Sequence, residues 1–183
     1  MKGTVFNVLQ EFVETNHGFE VWDDAISKND LASNGIYTST KHYDDSELFA
    51  LVGYLSNRLS VPVNDLVKAF GTFLFPVLMP QAPIEAQNAP SLRAFLMMVD
   101  TLIHVEVKKL YFEANLPEFD YDDKEDNKLI MIYRSPRKLC YLSEGLIFGA
   151  AKHFDESITI NQPKCLHAGD ECCEIEVIFN DEK

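Results

Sequence analysis

Residues 131–139, MIYRSPRKL, carry Tyr133, Ser135 and Arg137 two apart, and in an extended strand that spacing points all three side chains the same way. Strands are expected here in LIMIYR and again in SITIN and CEIEVIF, so the C-terminal part of the chain should hold a sheet. Upstream, to about residue 114, apolar residues recur at helical spacing instead. Phe6, Leu9, Phe12 and Val13 form one stripe, and Phe19, Trp22, Ala25 and Ile26 a second. Leu48, Phe49, Leu51, Val52 and Leu55 form a third, and Leu66, Val67, Phe70, Phe73 and Leu74 a fourth. Asp44 and Glu47 bracket the start of the third helix like a capping box with Asp in the cap position. YLSEGLIFGAAKHF adds a helix among the strands, and PEFDYDDKEDNK, residues 117–128, reads as a charged turn rather than a domain linker. The fold class is α+β in a single domain. A helical lobe of about residues 1–60 packs on a lobe of about residues 61–183 with an antiparallel sheet and helices.

Two hydroxyls and a guanidinium in a row suit a planar ligand with two carboxylates. Arg grips one in a bidentate fork while the hydroxyls donate to the other. Haem propionates meet that description. His104 lies inside SLRAFLMMVDTLIHVEVKKLYF, residues 91–112, read as a helix of several turns with Pro90 and Ser91 as start signals. Its apolar positions are Leu92, Phe95, Leu96, Val99, Ile103, Val107 and Leu110. His104 falls on the flank of that stripe, where a neutral imidazole can ligate iron or serve as a hydrogen-bonded histidine at the core edge.

His104, Pro117 thirteen residues later and Tyr133-x-Ser135-x-Arg137, in a chain opening MKGTVFNVLQEFV, together resemble the haem nitric oxide/oxygen binding domain, H-NOX. LVKAFGTFLF, HVEVKKLY, YRSPRKLC and EGLIFGAA, in this order, make the chain most similar to the stand-alone bacterial members. The resemblance implies haem b enclosed between the lobes, with His104 as the proximal iron ligand and Tyr133, Ser135 and Arg137 on the propionates. It further implies that Pro117 presses on the porphyrin and that Val5, Leu9, Leu74 and Leu142 line the pocket. In dioxygen-binding members a tyrosine occupies the position of Leu142, with its polar support at the positions of Leu9 and Leu74. Leucines here therefore imply a nitric oxide sensor that also binds carbon monoxide and excludes dioxygen. Nitric oxide on ferrous iron would weaken the bond to His104 and let its helix shift. No appended catalytic domain is expected beyond Lys183. The implied output is thus a separate histidine kinase or a cyclic-di-GMP cyclase or phosphodiesterase.

The composition agrees with such a role. Sixteen basic residues against 29 acidic ones give a net charge of −13, which argues against nucleic acid as a partner. The N-terminus, with Glu11 and Glu14 soon after its first apolar residues, is no signal peptide. The most apolar stretch, Ala69 to Pro80, is too short to span a bilayer and contains Pro76. No membrane insertion and a cytoplasmic location are expected. His17, His42, His153 and His167 form no dyad with a nucleophile or paired carboxylates, so no enzymatic activity is expected.

All four cysteines lie in the last 44 residues, a distribution that suits a metal or redox site better than a disulfide framework. Cys140, Cys165, Cys172 and Cys173 with His167 offer ligands for tetrahedral zinc, or they are buried and inert. By the H-NOX resemblance, Cys140, Cys165 and Cys173 match three ligands of a zinc site found in some members, and Gln162 falls where the histidine ligand stands. Either His167 or Cys172 replaces it, or the zinc site is lost. A second function is therefore a zinc or thiol redox module. A third follows from CLHAGDECCEIEV, which resembles the end of the 4-vinyl reductase domain and implies a pocket for a small apolar molecule.

Overall fold

A computed structural model describes residues 1–111 and 114–180. Helices α1 (Gly3–His17) and α2 (Phe19–Ser27) are separated by Gly18 alone, whose φ of 92° is one that side chains rarely adopt. Phe6, Leu9, Phe12, Val13, Trp22 and Ala25 are buried as their spacing predicts. Phe19 is not. Val21 and Ala25 centre the buried arc of α2, and Phe19 lies about 200° around the helix from Val21, in solvent. Phe49 is likewise exposed, at the margin of the arc that α3 (Asp45–Leu59) buries.

Asp44 caps α3 by accepting the Ser46 N–H, but Glu47 does not complete a capping box. Its carboxylate is buried and accepts from the Ser33 N–H, the Ser33 hydroxyl and the Tyr37 hydroxyl, which fastens the preceding loop to α3. An unpaired buried carboxylate would be costly, and these donors offset that cost.

Helix α4 (Val63–Leu78) packs against α8 (Cys140–His153) at backbone distance. A Cβ on Gly145 would sit 2.1 Å from the Lys68 carbonyl oxygen, and one on Gly71 would sit 2.6 Å from that of Leu142. Beside this seam Lys68 pairs with buried Glu144 at 2.6 Å. After α5 (Ile84–Gln87), α6 (Leu92–Met98) starts at a Ser91 cap that accepts the Ala94 N–H.

The unbroken helix expected over 91–112 is interrupted. Val99–His104 form a π-helical segment before α7 (Val105–Leu110) resumes. The wider turn changes the phase of everything after it, and Leu110, expected on the apolar stripe, is exposed. Phe112, at the end of that stretch, lies outside the described residues.

The sheet runs in the order β1-β2-β4-β3, with every pair antiparallel. Its strands are β1 (Glu118–Glu125), β2 (Lys128–Arg134), β3 (Ile158–Lys164) and β4 (Cys173–Phe179). The acidic segment read as a turn is thus largely an edge strand. Phe119 turns inward, whereas the carboxylates populate an edge where charge discourages further pairing.

Two apolar clusters fill the interior. Phe6, Leu9, Trp22, Leu51, Phe70 and Leu74 belong to the first, whereas Phe75, Phe95, Phe119, Met131, Tyr133 and Ile175 belong to the second. Helix α4 contributes to both, and Leu146 of α8 touches both. Among the described residues no single helix is long and apolar enough to cross a membrane.

Candidate functional site

His104 closes the π-helical segment, with only 14% of its side chain exposed. Its Nδ1 lies 3.3 Å from Asp100 Oδ1, so Nε2 is the ring atom available to a metal. Asp100 is itself held: its carboxylate accepts the Phe119 N–H, and its own N–H donates to the Tyr121 hydroxyl. Burial lowers the His104 pKa below its usual 6.5, outweighing Asp100, which favours the charged ring. Neutral imidazole, the ligating form, therefore prevails near neutral pH. The carbonyl of Pro117 also faces the ring. Phe119 stacks on His104 with centroids 5.9 Å apart and meets Tyr133 edge-on at 5.5 Å, which joins the helix to the sheet.

Tyr133, Ser135 and Arg137 do not share a strand face. β2 ends at Arg134, because Pro136 has no N–H to extend the ladder, and Ser135 and Arg137 stand in the turn that follows. The turn gathers them nonetheless. Tyr133 is fully buried and accepts the Leu139 N–H at 2.9 Å, and burial raises its pKa, which keeps its hydroxyl proton in place. Ser135 Oγ accepts the Arg137 N–H. The Arg137 guanidinium donates from Nη1 to the Asn115 carbonyl and from Nη2 to Asp45 Oδ1. Its Nε lies 2.7 Å from Asp45 Oδ2 with the N–H misaligned, leaving a buried donor without a proper acceptor.

The residues named for the opposite wall are apolar and close together. Leu9 and Leu74 are buried in the first cluster, and Val5 and Leu142 pack against it. The buried tyrosine of that cluster, Tyr37, donates its proton to Glu47. A protected imidazole, a hydroxyl and guanidinium turn with a donor to spare, and an apolar wall are a donor set that fits a haem. His104 would take the iron, and Tyr133, Ser135 and Arg137 the propionates.

Asp100, Phe119, Tyr121 and Asp45 support this site and were not singled out from the sequence. The i to i+4 spacing of Asp100 and His104 was a usable signal. Asp45, 92 residues from Arg137, was beyond any local pattern. The four remaining histidines are exposed, as expected. A cleft of about 650 Å³ between α1, α4 and α8, lined in part by Phe12, Phe73, Pro76 and His153, includes none of the residues named for the haem.

Cys140, Cys165 and Cys173 do come together, with no two sulfurs more than 4.8 Å apart. Cys140 at the start of α8 and Cys173 at the start of β4 are buried, and Cys165 lies between the strands on a half-buried loop. Burial pushes the Cys140 and Cys173 thiols up. It also acts on Cys165, but the His167 N–H and the neighbouring thiols outweigh it and bring that thiol below its ordinary value. Cys172 and His167 stand outside the cluster.

Comparison with known proteins gives one consistent answer. Residues 2–162 match the haem-NO-binding family. The crystal structure of an H-NOX protein from S. oneidensis in the Fe(II)NO ligation state superposes with a TM-score of 0.91 at 37% identity, covering 99% of this chain and 100% of that one. The Fe(II) unliganded H-NOX protein from K. algicida superposes with a TM-score of 0.91 at 31% identity, over 100% of this chain and 98% of that one. A soluble guanylate cyclase of Caenorhabditis elegans, gcy-32, is 25% identical over 166 residues, which are 87% of this chain and 24% of the cyclase. The chain thus spans about a quarter of the length of that relative.

Proposed function

Since the chain belongs to the haem-NO-binding family of gas-sensor domains, we propose that it binds nitric oxide at ferrous haem b and passes the signal to a separate protein. The observation that carries this reading is His104. It is a largely buried imidazole oriented by Asp100 and stacked through Phe119 onto the Tyr133 turn. Haem, when bound, supplies the ferrous centre that nitric oxide and carbon monoxide can occupy.

The chain's own residues do the rest. Tyr133 and Ser135 would donate to one propionate and Arg137 to the other, while Asp45 holds the guanidinium in place. Pro117, whose carbonyl faces His104, would border the porphyrin on that side. Val5, Leu9, Leu74 and Leu142 would line the face where gas binds. They offer no proton to the outer oxygen of bound dioxygen, which carries partial negative charge and needs a donor to stay. The π-helical segment would be the part of the output that moves. A π segment and an α segment differ by one residue of winding, so a pull on His104 can rewind Val99–His104 and move α7. The partner that reads α7 is a histidine kinase or a cyclic-di-GMP cyclase or phosphodiesterase. The domain senses and does not catalyse.

Haem added to the haem-free protein tests this. One haem per chain is expected, with a histidine-ligated ferrous spectrum that His104→Gly abolishes and added imidazole restores. Substoichiometric haem, or a spectrum indifferent to His104→Gly, would overturn it.

A further inference from the structure

Among the described residues, the cysteine cluster has three sulfurs and no fourth ligand. Cys165 Sγ lies 3.8 Å from Cys140 Sγ and 4.0 Å from Cys173 Sγ, spacings that let one ion contact all three. The three candidates for a fourth ligand are each turned to other use. His167 Nε2 lies 2.8 Å from the Lys138 carbonyl, which only accepts, so that nitrogen carries the proton. The ring also packs on Tyr141, and no nitrogen of it lies within 4.8 Å of all three sulfurs. Cys172 immediately precedes Cys173 where β4 begins, so the alternation of an extended chain points its thiol away. Gln162 reaches the site from β3, and its buried amide Nε2 lies beside Cys140 without a hydrogen-bond partner among the described residues, a donor where a metal ligand would need a lone pair.

Hydrogen-bond donors complete the surroundings. The Leu166 N–H donates to Cys173 Sγ at 3.2 Å. Such a donor stabilises a thiolate without adding a ligand, and the unpartnered Gln162 amide is placed to do the same for Cys140.

We propose that Cys140, Cys165 and Cys173 form a three-coordinate thiolate site for a soft monovalent ion, Cu(I), and that Gln162 serves as a donor to sulfur rather than as a metal ligand. Zinc in structural sites is almost always four-coordinate and tetrahedral, so a site with three ligands serves it poorly. Thiolate softness selects Cu(I), which is content with three sulfurs. The site is independent of the haem reading. It ties the start of α8, the start of β4 and the loop between β3 and β4 to one point next to Tyr133, which pairs with Cys173 across the sheet.

The test uses the haem-loaded, thiol-reduced protein without air, titrated with Cu(I) or Zn(II) against a chromogenic chelator of each. One Cu(I) per chain should bind, with three sulfur neighbours by X-ray absorption, while Zn(II) is surrendered to its chelator. Cys165→Ser should lose Cu(I), and Cys172→Ser should behave as the parent. Gln162→His, which adds the missing nitrogen, should tighten Zn(II) by about tenfold or more. Tight four-coordinate Zn(II) in the parent, with no gain in Gln162→His, would overturn the proposal. So would Cu(I) retention by Cys165→Ser. If Cys165→Ser misfolds, as judged by circular dichroism, the Gln162→His comparison decides alone.

Discussion

Leu9 and Leu74 stand in a helical cluster whose buried polar groups are paired among themselves, whereas His104 stands where a helix and a sheet edge supply it with partners. One side excludes hydrogen bonds and the other accumulates them. Tight interhelical packing produces the first side: Gly71 and Gly145 let α4 and α8 touch backbone to backbone. The second is built by interruption. The π-helical segment displaces His104 from regular helical phase, and Pro136 ends β2 so that a turn can present Ser135 and Arg137. The difference teaches that the His104 side depends on irregular backbone fixed by a few polar contacts, while the leucine side depends on volume and shape.

Breaking the His104 side should have the largest effect. His104→Gly is expected to remove histidine ligation altogether, read in the ferrous absorption spectrum, and a spectrum like the parent's would remove the basis of the contrast. Next comes the seam. Gly145→Ala would drive a methyl into the Lys68 carbonyl, and backbone cannot step aside as a side chain can. A loss of about 2–3 kcal/mol in urea unfolding is expected, and a loss below about 0.5 kcal/mol would mean that α4 and α8 are not so tightly joined.

Leu142→Tyr sharpens the contrast from the other direction by placing a donor on the apolar side. A hydrogen bond to a partly charged ligand is worth about 1.5–3 kcal/mol, so dioxygen affinity should rise by about tenfold or more in equilibrium titration. No gain would count against the proposal that the wall excludes dioxygen through its lack of donors.

The smallest effect is acid sensitivity of the haem-free protein. Burial holds the folded pKa of His104 below its usual 6.5, so the unfolded chain takes the proton first as pH falls. The stability that His104 contributes is therefore complete above 6.5 and is lost as pH falls below that value toward the folded pKa. Urea midpoints at about pH 7.5 and pH 5.5 should drop less in His104→Gln than in the parent. An equal drop would assign the sensitivity to other groups.

Much of this was legible in the sequence where the periodicity was regular. The stripes of α1, α3 and α4, the helix α8 and the strands β3 and β4 lie where the spacing puts them, because local pattern and burial agree. What escaped was set by distant contacts or by a break in pattern. Glu47 follows a capping spacing but is claimed by Ser33 and Tyr37 from another loop. The acidic composition of 117–128 hid an edge strand, since charge on an edge resembles charge in a turn. Tyr133, Ser135 and Arg137 were aligned through the wrong backbone, and the turn after β2 gathers them where a strand face does not. Asp45, which holds Arg137 from α3, is a product of tertiary packing that no local pattern records.

The most direct test of the division between the two sides is the absorption spectrum of the fully reduced, haem-loaded protein, taken in air and then with nitric oxide. The spectrum of five-coordinate ferrous haem should persist in air until slow oxidation and change at once with nitric oxide. A stable dioxygen complex formed in air would contradict the account, because it would require a donor on the side where Val5, Leu9, Leu74 and Leu142 provide none.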